Sequence, residues 1–141
     1  MNLSGFLKLY GIAFVTCSAL DLVWLGLVAN GFYQRHMGHL MRPDVQWAPA
    51  VLFYVIYVGA LVVFVVQPAL EKQSLGHAIG LGAFFGLGAF FGLAAYAAFD
   101  LTSLALLKDF PVLVAVVDLA WGATLSAVVS GMAFLVSRSV P

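Results

Sequence analysis

The stretch Tyr96–Gly122, YAAFDLTSLALLKDFPVLVAVVDLAWG, decides the fold. It reads as the end of one membrane-spanning helix, a short connection, and the start of the next. Pro111 suits the first turn of the second helix, where its missing N–H leaves nothing unpaired. The stretch also carries two acids, Asp100 and Asp118. An acid near the middle of a bilayer costs about 2.5–3.5 kcal/mol on insertion scales. A chain that keeps both, and a third at Asp21, is expected to use them.

Composition agrees with a membrane chain. Of 141 residues, 64% are hydrophobic and 9% charged, whereas soluble domains average about 25% charged residues. A soluble fold of this length has too little interior to hide so much apolar surface. The formal net charge is zero, which gives no reason to expect a nucleic-acid partner. The single cysteine, Cys17, excludes an intramolecular disulfide and a paired-thiol redox centre. It reads as a small packing residue. The first apolar run extends to Val28 and holds Asp21 and Trp24, which is too long and too polar for a signal peptide. It is expected to remain in the mature protein.

Outward from the opening stretch, four segments are long enough to cross about 30 Å of hydrocarbon. They run about Phe6–Ala29, Trp47–Val66, Gly76–Phe99 and Pro111–Val136. The expectation is an all-α integral membrane protein, a single transmembrane domain over residues 1–141, built as an antiparallel four-helix bundle. Asn30-Gly31 reads as a cap on the first helix, and Pro68 as the stop of the second. Between them, Tyr33, Met37, Leu40 and Met41 share one face opposite Gln34, Arg35, His39 and Arg42. That pattern predicts a short interfacial helix, and Leu101–Leu107 is expected to lie in the interface as well.

Lys8, Lys72 and Arg138 fall on one side of the membrane, and Arg35, Arg42 and Lys108 on the other. The tie leaves the positive-inside rule undecided. Cytoplasmic termini are favoured because they leave the longer loops outside. The third helix repeats GLGAFF at Gly80–Phe85 and Gly86–Phe91. Gly82/Gly86 and Gly88/Gly92 are four apart, a spacing that lets helix backbones approach closely in lipid. Packing within the bundle and a homodimer face are both open on this pattern.

The acids form a layer. Asp21 and Asp118 should each lie roughly 10–12 Å inside the same membrane face, from the helical rise. Asp100 is expected at that face, at the end of the third helix. Asp21 and Trp24 are i, i+3, as are Asp118 and Trp121, so each acid shares a face with an indole. Tyr54, Tyr57 and Tyr96 fall in the same half of the bilayer, with Ser18, Thr102, Ser103 and Thr124 nearby. Tyrosine and tryptophan supply donors that a buried carboxyl needs. With no lysine or arginine at this depth, a shared or retained proton is expected.

Asp21, Trp24, Tyr54, Tyr57, Tyr96, Asp100, Asp118 and Trp121 are therefore the candidate ligand-binding residues. Three readings stand. The acids tie helices together; or they line a site that binds or transports a proton, a small cation or an amphipathic molecule; or they serve an enzyme, or an accessory to one, acting on lipid or isoprenoid. No histidine cluster, serine nucleophile motif or cysteine pair supports the last, and no cofactor is indicated. His36 and His39, with Asp44, are read as facing solvent or headgroups rather than a metal.

The chain resembles a family of small bacterial membrane proteins called domain of unknown function 2177. The likeness rests on Asp21-Leu22-Val23-Trp24-Leu25-Gly26, on Phe32-Tyr33 with Gly38-His39-Leu40, and on Phe53-Tyr54-Val55-Ile56-Tyr57-Val58-Gly59. It continues through Phe64-Val65-Val66-Gln67-Pro68-Ala69-Leu70, Tyr96, Asp100-Leu101-Thr102, and Val117-Asp118-Leu119-Ala120-Trp121-Gly122. The family pattern departs at Phe99, Ser103, Leu106 and Phe110, all near Asp100. The family label carries no activity, so the resemblance implies a four-helix membrane protein and nothing about catalysis. A bacterial inner membrane is the expected location.

Overall fold

The computed structural model describes residues 2–75 and 87–139. Among these residues every regular element is helical. Four helices are long and apolar enough to cross a membrane: Leu3–Val28, Trp47–Glu71, Gly88–Leu106 and Val112–Ser139. The protein is a multi-pass, all-α membrane bundle.

The first span begins as helix α1, Leu3–Val23, with the Asn2 side chain accepting from the Gly5 N–H at 2.8 Å. Its last turn, Trp24–Val28, widens, and the Ala29 N–H donates to the Trp24 carbonyl five residues back at 2.7 Å. Helix α2, Asn30–Met37, starts at once. Asn30-Gly31 is thus the first turn of the interfacial helix rather than a cap on the span.

The second span comprises α3, Trp47–Leu61, a widened turn, Val62–Val66, and α4, Gln67–Glu71. The helix therefore continues through Pro68, against the expectation that it stops there. A proline lacks a donor and crowds the carbonyl four residues back, here that of Phe64. The widened turn directly before it, where the Gln67 N–H reaches the Val62 carbonyl, takes up that misfit.

Helix α5, Leu87–Leu106, forms the third span, and α6, Val112–Ser139, the fourth. A left-handed residue, Asp109 (φ 59°), turns the chain between them. The first GLGAFF hexad and Gly86, and with them the Gly82/Gly86 pair, lie outside the described residues. Helix α5 runs unbroken past Asp100 to Leu106, so Leu101–Leu106 continues the span and Asp100 is interior to a helix.

The bundle is apolar outside, and its mostly apolar interior encloses a few polar side chains. Leu7, Val15, Leu22, Val51, Leu52, Phe64 and Val116 face outward, while Asp21, Asp100, Ser103, Ser126 and Ser130 are buried. Close packing and internal hydrogen bonds must hold such a structure, because lipid removes the hydrophobic drive. Leu9, Ala13 and Cys17 of the first span, Tyr57, Val58, Leu61, Val62, Val65 and Val66 of the second, and Leu125, Val129 and Ala133 of the fourth share one core.

The third and fourth spans touch backbone to backbone. A Cβ added at Gly92 would overlap the Gly122 carbonyl oxygen and the Ser126 hydroxyl, and one added at Gly122 would overlap the Tyr96 ring. This contact sets an antiparallel register. One turn on from Tyr96, Asp100 arrives beside Asp118, and after another turn Leu104 packs near Val114. Against the same cluster, α2 packs Phe32, Tyr33 and Met37, with Phe110 and Ala115 beneath. The interfacial helix is thereby held over one end of the bundle.

Candidate functional site

A cavity of about 390 Å³ opens beneath α2. The first span supplies Asp21, Trp24 and Leu25, and the interfacial segment Asn30, Tyr33, Met37 and Met41. The second supplies Tyr54, the third Tyr96, and the fourth Asp118 and Trp121. All four spans and the covering helix meet here.

The two Asp-x-x-Trp strings interlock crosswise. Helices α1 and α6 run in opposite directions, so Asp21 lies opposite Trp121 and, one turn towards α2, Trp24 lies near Asp118. Trp121 Nε1 donates to Asp21 Oδ1 at 2.8 Å, and the Tyr54 hydroxyl donates to Asp21 Oδ2. Trp24 Nε1 donates to the Tyr33 hydroxyl at 3.2 Å, and Tyr33 donates to Asp118 Oδ1. The indoles stack nearly parallel between the acids, with centroids 4.3 Å apart and planes inclined by 7°. Sequence spacing paired each acid with the indole on its own helix. The structure pairs Asp21 with the indole of the other helix, and links Asp118 to Trp24 through Tyr33.

Asp21 is 4% exposed, and both of its oxygens accept hydrogen bonds from neutral donors. Burial first, and then the hydrogen bond to Asp118, push the Tyr33 hydroxyl above the ordinary phenol range. Tyr33 therefore serves as a neutral donor. Among the described residues the lining holds no lysine, arginine or histidine, and the formal charges there are acidic.

Two of the expected residues lie elsewhere. Tyr57 points into the closed core, where its hydroxyl is hydrogen-bonded to Ser126. Asp100 is 0% exposed and lies behind the cavity wall beside Asp118, with no donor to either oxygen among the described residues. A membrane-edge acid meeting water is not what the structure contains. Thr102 and Thr124 bond back to carbonyls of their own helices, at Ala98 and Ala120, and are exposed. Hydroxyls satisfied in this way contribute nothing to a site.

Tyr33, Asn30, Met37 and Met41 were not among the expected site residues. The apolar stripe holding Tyr33 and Met37 predicts a helix lying in the membrane interface, whereas the structure turns both residues onto the cavity. Nδ1 of His36 lies 2.9 Å from the Phe32 carbonyl oxygen within α2. Among the described residues no three histidine, cysteine or acidic side chains converge as metal ligands.

The sequence pattern described as predicted membrane protein (DUF2177) matches residues 6–135 of this chain. No curated protein and no solved structure matches it.

Proposed function

We propose a ligand for a chain that belongs to the DUF2177 family of predicted membrane proteins: a small amphipathic cation, held between the acids and the indole pair. The observation that carries this reading is the meeting of Asp21, Asp118 and the stacked Trp24 and Trp121 in one cavity with no basic residue among the described residues of its lining. Carboxylates attract a cation, and ring faces of tryptophan and tyrosine add a cation–π contribution. Pockets for small organic molecules run from about 300 to 1,000 Å³ and are mostly apolar, which suits the volume and the Leu25, Met37 and Met41 lining. Anionic ligands would meet two acids without compensation. Helical spans also suit a bacterial inner membrane, since outer-membrane proteins cross as barrels.

One further observation favours a structural reading beside this one. Both oxygens of Asp21 are already bonded to neighbouring spans, as a tie between helices would require. The two readings separate on binding. With Trp47→Phe as background, Trp24 and Trp121 are the only indoles, so their fluorescence reports on the cavity. In lipid nanodiscs, tetraphenylphosphonium should quench it saturably, and Asp21→Asn or Asp118→Asn should weaken binding by at least about tenfold, equivalent to about 1.4 kcal/mol. Quenching that never saturates, and that ignores both substitutions, would leave the structural tie as the sole role.

A further inference from the structure

Asp100 is the buried polar group that packing explains least. It is wholly enclosed on the third span, and no described residue donates to either of its oxygens. Its neighbour is the carboxyl of Asp118, which lines the cavity. Tyr33 faces Asp118 from α2 and donates to it, and Asp21 faces it from the first span. Tyr54 of the second span is engaged with Asp21. Among the described residues no lysine, arginine or histidine acts on either acid of the pair.

Ionised carboxylates only accept hydrogen bonds. Asp100 is enclosed beside the carboxyl of Asp118, which is half-buried at the cavity, and with no cation beside it among the described residues it is satisfied only when it carries a hydrogen and donates it to Asp118. Tyr33 already supplies a donor to Asp118, so the group that lacks one is Asp100. We infer that Asp100 carries a proton donated to Asp118, and that a cation arriving in the cavity displaces this proton, so that the site exchanges a cation for H⁺. This rests on the cation reading given above. The step balances: the Asp100 O–H bond breaks, the proton passes to water through the cavity at Asp118, and the bound monovalent cation replaces its charge. The net charge of the pair with its ligand stays the same.

Two measurements test this, and they fail separately. The first needs no ligand. Infrared difference spectra of the protein in nanodiscs should contain a protonated-carboxyl C=O band that disappears in Asp100→Asn and in Asp118→Asn. A spectrum in which neither substitution removes such a band overturns the shared proton, whatever the protein binds. The second uses tetraphenylphosphonium in weakly buffered solution with a pH-indicator dye. Wild type should release close to one proton per cation bound, and its apparent Kd should rise about tenfold for each unit of falling pH while the exchange is complete. Asp100→Asn should still bind the cation but release no proton. Saturable binding by wild type without proton release overturns the exchange and leaves the cation site intact. Absence of saturable binding overturns the cation site and the exchange together, and leaves the infrared band as the test of the proton pair.

Discussion

Tyr54 and Tyr57 stand three residues apart on one helix and do different things. Tyr54 lines the cavity and donates to Asp21, whereas Tyr57 is hydrogen-bonded to Ser126 in the closed core. Removing the Tyr54 hydroxyl frees Asp21 from one of its two anchors. Tyr54→Phe should therefore weaken tetraphenylphosphonium binding about fivefold to thirtyfold, the factor that one or two kcal/mol represents. Tyr57→Phe should leave binding unchanged and lower unfolding free energy by about 0.6 kcal/mol, the average for interhelical hydrogen bonds in one measured membrane protein. Quench titration and unfolding in mixed micelles measure the two effects. Asp100 carries the clearest lesson about reading single residues. Its sequence neighbours, Thr102 and Ser103, look like the polar edge of a membrane. Thr102 in fact satisfies its hydroxyl on the Ala98 and Phe99 carbonyls, and Ser103 is buried. Local hydroxyls of this kind let a helix continue through lipid, so polarity alone did not mark its end.

At the scale of elements, the number of spans was legible because length and hydropathy decide it, whereas the contacts between spans were not. Gly88 and Gly92 at i, i+4 announced close approach but gave no partner. The partner is the fourth span at Gly122, a glycine with no companion at that spacing in the sequence. Substituting either member of this crossing forces the backbones apart. Gly92→Ala would meet the Gly122 carbonyl, which cannot swing aside, and Gly122→Ala would meet the Tyr96 ring. Each should destabilise the protein by about 1–3 kcal/mol, the usual cost of overpacking. Each should also disturb the Asp100–Asp118 contact, which inherits its register from this crossing. Gly11→Ala and Gly26→Ala have nothing within 4 Å of the new carbon and should be tolerated. Helix propensity alone favours alanine over glycine at all four positions, so equal losses of melting temperature in all four variants would show that the crossing does not set the effect. The widened turns at Trp24–Val28 and Val62–Val66 were equally silent in sequence. The second directly precedes Pro68, whose misfit it takes up, and hydropathy carries no trace of either turn.

For the molecule as a whole, the cavity and its cover lie at one end of the bundle, and the turn after the second span lies at the other. The sequence leads to the expectation of an acidic and aromatic layer in one half of the bilayer, and the structure brings Asp21, Trp24, Tyr54, Tyr96, Asp118 and Trp121 to one cavity. Its assignment to a membrane side rests on the tie of basic residues, three against three, and so requires a direct measurement. The lone cysteine makes this straightforward. Cys17 is buried, and should stay silent to a membrane-impermeant maleimide applied to intact cells. Asn30 is exposed at the cavity and Lys72 is exposed at the opposite turn. With cytoplasmic termini, Asn30→Cys should react in intact cells, and Lys72→Cys only after permeabilisation. The reverse order would set the cavity facing the cytoplasm, and equal labelling of both in intact cells would mean two orientations. The same reagent connects topology to ligand. Because Asn30 shares the cavity lining with Trp24, Asp118 and Trp121, tetraphenylphosphonium should slow labelling at Asn30→Cys and leave Lys72→Cys unaffected. Protection at both positions would mean the cation acts on the bilayer rather than in the cavity.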